Sequence, residues 1–255
     1  ENKTYVTIDC NGFKELGITA DVEFSRSIIE PIDASNKVIG KTQRVTGNFK
    51  TTVTNWNDIL IDISLPKFQL TSFKGTCFEL NKAVIDLSDL RNSENVTWPE
   101  NYARDYLVPG SENLWRGLYV KSLLITLPEE FKFSSSKGRV TFQATDLLID
   151  RMGVSGNFTG NNILNIDQGS AGGWAFSVNN INLKFRANAL VAGGFGGAIV
   201  LPVTNKNKKC PSDSQGEIGY TAIFNTIDNF YSLKAEVNNN LCFQVFKATA
   251  RIDKG

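Results

Sequence analysis

Apolar and polar residues alternate with a period of two along most of this chain, the pattern of a strand with one buried face. Residues 59–65, 118–127, 140–149, 174–185 and 198–203 read as strands on that basis. Turn signals separate them at Asn11-Gly12, Gly138, 153–156, 169–173 and 238–240. No helical periodicity extends beyond about three turns. The short segments 88–95 and 105–115 carry what helical signal there is.

One stretch recurs. Phe78-Glu79-Leu80-Asn81-Lys82-Ala83-Val84-Ile85-Asp86 aligns with Phe142-Gln143-Ala144-Thr145-Asp146-Leu147-Leu148-Ile149-Asp150 and with Phe176-Ser177-Val178-Asn179-Asn180-Ile181-Asn182-Leu183-Lys184. The segment from Phe243 to Arg251 is a looser fourth copy. In the three closely aligned copies, the apolar positions begin on one parity and continue on the other after a polar pair. A strand that keeps one face on a core can do this only through a bulge or by crossing to a second sheet. The expected fold is therefore all-β, built from long, curved, mainly antiparallel strands with bulges, as an elongated sandwich or an open barrel-like sheet. A β-solenoid is the alternative. The organisation expected is one elongated domain over residues 1–255, divisible into sub-modules 1–135 and 136–255. Glycine beside an aromatic, in Gly153–Phe158 and in Gly193-Gly194-Phe195-Gly196-Gly197, marks a bulge, a close backbone approach or a hairpin.

Composition narrows the chemistry. The 255 residues are 41% hydrophobic, which supports a packed core, and no apolar run approaches the length of a membrane-spanning helix. Charge is balanced, 27 basic against 26 acidic side chains, so nothing favours nucleic acid as a partner. Histidine is absent, which removes Ser-His and Cys-His catalysis and His-containing zinc sites. The cysteines, Cys10, Cys77, Cys210 and Cys242, lie far apart without a Cys-x-x-Cys pair. Cys77 and Cys242 sit in apolar strands. Cys10 and Cys210 occupy turn-like surroundings, so a disulfide between them is the one to expect.

Three constellations carry chemistry. Ile-Asp occurs eight times, ending at Asp9, Asp33, Asp62, Asp86, Asp150, Asp167, Asp228 and Asp253. Stacked strand ends of this kind can bring carboxylates together for calcium, the one cofactor the sequence suggests, although Asp opening a turn explains the pattern more simply. Carboxylate pairs such as Asp146 with Asp150 fit glycoside hydrolysis, which needs no histidine, though a bulge would separate that pair. The longest irregular interval holds Trp98, Tyr102, Arg104, Tyr106 and Trp115, aromatic and cationic groups suited to stacking on a sugar or anchoring a protein. The competing expectation is that Trp98 and Trp115 plug one end of the domain.

The stretch Gly173-Trp174-Ala175-Phe176-Ser177-Val178 through Gly197-Ala198-Ile199-Val200-Leu201-Pro202 resembles modules of large bacterial secreted or surface proteins, including adhesins and injection-system cargo. The resemblance implies a non-enzymatic structural or binding module of a larger exported protein, located outside the cell or at its surface. Other domains of the parent chain would be its partners, with a protein or glycan ligand besides. A carbohydrate-binding or glycoside-active β domain is the alternative.

Overall fold

The computed structural model describes residues 4–55, 57–132, 138–200, 217–237, 241–245 and 248–252. The strands are β1 (Tyr5–Asp9), β2 (Gly12–Glu23), β3 (Ile29–Pro31), β4 (Thr46–Val53), β5 (Ile59–Ser64), β6 (Phe68–Leu70), β7 (Cys77–Asp86) and β8 (Gly117–Thr126). They continue with β9 (Thr141–Asp150), β10 (Gly153–Ala171), β11 (Trp174–Arg186), β12 (Ala189–Val200), β13 (Glu217–Asn225), β14 (Phe230–Glu236), β15 (Leu241–Val245) and β16 (Ala248–Ile252). Among the described residues, one short helix, α1 (Tyr102–Tyr106), and two single 3-10 turns complete the elements. The protein is all-β. Fourteen strands share one sheet in the order β1-β2-β4-β5-β7-β8-β9-β10-β11-β12-β13-β14, with β3 joined through β6 to β7. The order has two ends and does not close on itself. Its defined registers are antiparallel, which excludes the parallel stacking of a solenoid.

Contacts divide the chain into two compact units. The first contains Glu1–Glu129, Phe142–Phe158 and Lys184–Ala189; the second contains Glu130–Thr141, Thr159–Leu183 and Leu190–Gly255.

Within the first unit, the change of apolar parity is a change of face. Leu80 and Ala83, three residues apart in β7, pack in one apolar cluster; so do Val120 and Leu123 of β8, and Ala144 and Leu147 of β9. A regular strand would put residues three apart on opposite sides. The inversion falls where β7 and β9 carry left-handed residues, Lys82 at φ 50° and Asp146 at φ 48°, inside the polar pairs of the aligned segments. β7 and β8 keep their register across it, with Leu80 opposite Leu123 and Ala83 opposite Val120. Both strands therefore turn over together. β5 and β6 meet β7 on either side of the inversion, Ile63 opposite Ala83 and Phe68 opposite Phe78.

Gly156 of β10 takes φ 148°, and a Cβ there would stand 3.1 Å from the Asp146 carbonyl oxygen and from Leu147 Cα. The glycine-rich stretch after β9 is therefore a strand at close backbone approach as well as a turn. The leading phenylalanines differ in environment. Phe78 stacks on Phe68 at 5.5 Å, whereas Phe142 is 41% exposed.

Segment 88–95 is not helical, and the helix expected over 105–115 lies earlier, as α1. The Ser88 hydroxyl accepts the N–H groups of Leu90 and Arg91 and donates to Asp58, and the Asp89 N–H reaches the Asn57 carbonyl. Local side-chain hydrogen bonds thus satisfy the backbone groups that a helix would have used.

In the second unit, 193–197 lies inside β12 rather than at a reversal. A Cβ at Gly193 would meet the Asn182 carbonyl oxygen at 2.7 Å, and one at Gly194 would meet that of Ala222 at 2.6 Å. Phe195 sits edge-on to Tyr220 of β13, whose hydroxyl donates to the Ser177 carbonyl at 2.7 Å. The fourth aligned copy behaves differently from the rest. β15 and β16 pair antiparallel from Val245–Ala248 outward, so the chain reverses there instead of running on as one strand.

The two kinds of left-handed position separate in a stability measurement. Gly156→Ala, strained in φ and crowded by backbone, is expected to cost about 1–3 kcal/mol in chemical denaturation. Lys82→Gly, exposed and already left-handed, should change stability by less than about 1 kcal/mol.

Candidate functional site

The site grows from β7, β8 and β9, whose central residues are buried on both faces. Ala83, Val120 and Leu147 point to one apolar cluster, and their neighbours Val84, Tyr119 and Leu148 point to another. The second is completed by the β7–β8 connection, residues 87–116, which lays Tyr102 and Trp115 on the sheet with Val96, Trp98, Tyr106 and Leu107 around them. Trp98 stacks on Tyr102 at 6.1 Å and stands edge-on to Trp115 at 5.2 Å. Such pairs add modestly to the area they bury.

Carboxylates from the strands fasten this loop. Asp150, at the end of β9, accepts the Tyr102 hydroxyl and the Trp115 Nε1–H (2.6 Å) on Oδ2, and the Met152 N–H (2.8 Å) on Oδ1. Asp146 accepts the Tyr119 hydroxyl at 2.7 Å. The bulge was expected to separate Asp146 from Asp150. Instead the inversion precedes Leu147, and both carboxylates serve the same aromatic cluster. Burial, reinforced by the Asp150 carboxylate, holds the Tyr102 phenol far above its ordinary pKa, so it acts as a hydrogen-bond donor.

A second tie lies where the connection leaves β7. Asp58 accepts the Arg91 Nε–H on both oxygens, at 2.9 and 3.0 Å, together with the hydroxyls of Ser88 (2.9 Å) and Thr54. Burial pushes its pKa up, but the hydrogen bonds from Arg91, Thr54 and Ser88 outweigh burial and hold it below the usual range. Its neighbour Asp86 is fully buried. It receives the Ser88 N–H at 3.0 Å on Oδ1 and leaves Oδ2 unpartnered among the described residues. Burial, with the negative charge of Asp58 adding to it, raises Asp86 to about 6.

Of the five residues expected to bind a ligand, the structure brings four into one cluster. Tyr102 and Trp115 are 0% and 4% exposed, with their polar atoms committed to Asp150. Trp98 is half-buried between them, and Tyr106 tilts against Tyr102 at 5.1 Å. Arg104 points outward and pairs with Asp105 at 2.7 Å, while Arg186 also reaches Asp105 at 3.4 Å. A cleft of about 500 Å³ opens beside the cluster, lined by Tyr106, Val108, Leu114, Trp115, Arg151 and Met152 among others. Arg151 makes no ion pair among the described residues, whereas Arg116, also lining the cleft, is paired with Asp89.

The Ile-Asp pattern has a structural meaning. Asp9, Asp33, Asp86 and Asp150 each accept the N–H two residues ahead, at Asn11, Ser35, Ser88 and Met152. Each closes a turn as a strand ends. Among the described residues no three metal-ligating side chains converge, and no helix is long and apolar enough to cross a membrane. Cys10 is exposed in the β1–β2 turn; Cys210, its expected disulfide partner, lies outside the described residues. Sequence reasoning missed Asp58, Arg91 and the Asp89–Arg116 pair, which no spacing advertises. Compared with protein-family models, characterised proteins and solved structures, the chain finds no match.

Removing the Asp150 carboxylate strands a buried phenol and indole. Asp150→Ala should cost about 2–4 kcal/mol in urea denaturation, with tryptophan fluorescence reporting a loosened loop. Asp86 supplies a pH signature. The folded state keeps its proton up to about pH 6, whereas the unfolded chain releases it near the ordinary value of 3.8. Its contribution to stability therefore falls as pH rises through that window. Asp86→Asn removes this dependence, so the stability difference between wild type and variant should move in the variant's favour by up to about 3 kcal/mol. Paired urea melts at pH 4 and pH 7 measure it.

Proposed function

We propose that the chain is a non-enzymatic structural and binding module of a larger exported bacterial protein. The observation that supports this most directly is how the chemically richest loop is used. Its buried aromatic donors are tied to Asp150, and Asp58 holds Arg91, so the carboxylates that can serve as acid or base instead fasten residues 87–116 to the sheet. A carboxylate that accepts from three donors is a strong anchor. The resemblance to secreted and surface modules agrees with that use, and partners would meet the module through its exposed surfaces. The test is removal of the module from its full-length protein. Lost attachment, assembly or export with unchanged turnover by other regions is expected; retained attachment with lost turnover would sink the proposal.

A glycan-binding reading draws on the open cleft, where Tyr106 and Arg151 border an apolar floor. Trp98 and Trp115 are unsuitable test positions, because they support the fold. Tyr106→Ala and Arg151→Ala leave Asp150 and its donors in place. On the structural reading, a glycan array returns no ligand at millimolar concentration. Binding that both substitutions abolish, with melting temperature retained, would instead establish the cleft as a sugar site.

A further inference from the structure

The strand order ends in β1 and β14, and both ends are apolar to an extent that isolated sheets avoid. Every residue of β1 is exposed, with Val6 at 55% and Ile8 at 68%. In β14, Tyr231 is 69% and Leu233 75% exposed. Among the described residues each strand pairs on one side only, β1 with β2 and β14 with β13, so the opposite backbone edge is unpaired. Edge strands usually discourage association through unpaired charge. Here the charges are neutralised locally, Asp9 by Lys14 at 2.8 Å and Lys234 by Glu236.

The two edges also match one another. Laid antiparallel with Leu233 opposite Val6, the strands place Tyr231 opposite Ile8 and Ser232 opposite Thr7. Leu233 and Tyr231 then face apolar partners and the two hydroxyls face each other, cross-strand combinations that stabilise a ladder, while Phe230 falls opposite Asp9 and Lys234 opposite Tyr5 at the flanks. Two copies of β14 paired about Leu233 put Tyr231 opposite Ala235 and Ser232 opposite Lys234, which loses the pairing of Tyr231 with a large apolar residue and the hydroxyl pair. We propose that β14 of one copy of this chain adds to β1 of the next, forming a heterologous, end-to-end assembly. This deepens the module reading and rests on it by naming the partner as a second copy. A contact between different surfaces leaves a free β1 and a free β14 at the ends, so it propagates unless a ring closes. Backbone hydrogen bonds would supply strength and the side-chain match the register.

Complementation of blocked ends tests this. Leu233→Lys closes the β14 end alone, and Ile8→Lys closes the β1 end alone. Sedimentation velocity across micromolar to millimolar concentration should show wild type growing into species larger than one copy. Each variant alone should remain a single copy, because each lacks one of the two required ends. An equimolar mixture should form a species of two copies and nothing larger, since one variant supplies β1 and the other β14. The pair Val6→Lys and Tyr231→Lys repeats the pattern at neighbouring positions, and far-ultraviolet circular dichroism checks that each variant is folded. A wild type that stays single at millimolar concentration overturns the proposal. So does self-association of either variant alone, or a mixture that stays single. None of those outcomes touches the module reading, which stands or falls on attachment and export.

Discussion

Antiparallel strands can switch faces without losing register only if neighbours switch at the same level. β7, β8 and β9 meet that constraint around Lys82 and Asp146, where left-handed backbone lets Leu80 and Ala83, or Ala144 and Leu147, share one apolar cluster. The inversion has consequences on both sides of the sheet. On one, it gathers the strand halves into a common interior. On the other, it places Asp146 beneath Tyr119 and leads the chain to Asp150, the acceptor for Tyr102 and Trp115. The backbone pays for it at Gly156, where β10 passes too close to Asp146 and Leu147 for a side chain.

The carboxylates of this region illustrate how location decides role. Asp150, Asp58 and Asp86 are similar in sequence setting, each beside a strand. Asp150 is saturated by three donors and Asp58 by an arginine and two hydroxyls, and both act as fasteners. Asp86 is as buried as Asp58 but has one unpartnered oxygen among the described residues and a negative neighbour, so its charge is the least favourable of the three. The loop over β7–β9 is thus held by polar ties around an aromatic packing centre, and Lys184–Glu100 at 3.0 Å adds an ion pair at its margin. Exposed pairs of that kind contribute little by themselves.

The terminal strands follow a different logic. β7, β8 and β9 are covered on both faces, while β1 and β14 keep large apolar residues in solvent, with Asp9 paired to Lys14 of β2 and Lys234 to Glu236 of its own strand. An apolar ladder with a free backbone edge gains most from another strand of complementary pattern.

Period-two alternation was enough to establish an all-β chain, and the parity switch within 78–86 and 142–150 located the inversions of β7 and β9 at their polar pairs. Both signals are local: side-chain direction is set by the residue count along one strand. The same reasoning failed at 88–95, where the Ser88 hydroxyl and, from a distant part of the sequence, the Asn57 carbonyl take the backbone N–H groups that a helix would have used. At 193–197 it left a close backbone approach and a hairpin both open, because glycine in a turn and glycine at a close strand crossing have the same composition; the structure shows the close approach. Which aromatic residues became plug and which became cleft depended on the position of Asp150 under Tyr102 and Trp115. That is a meeting of residues 35 and 48 positions apart, and a distance through space is what the order of residues along a chain does not encode by itself.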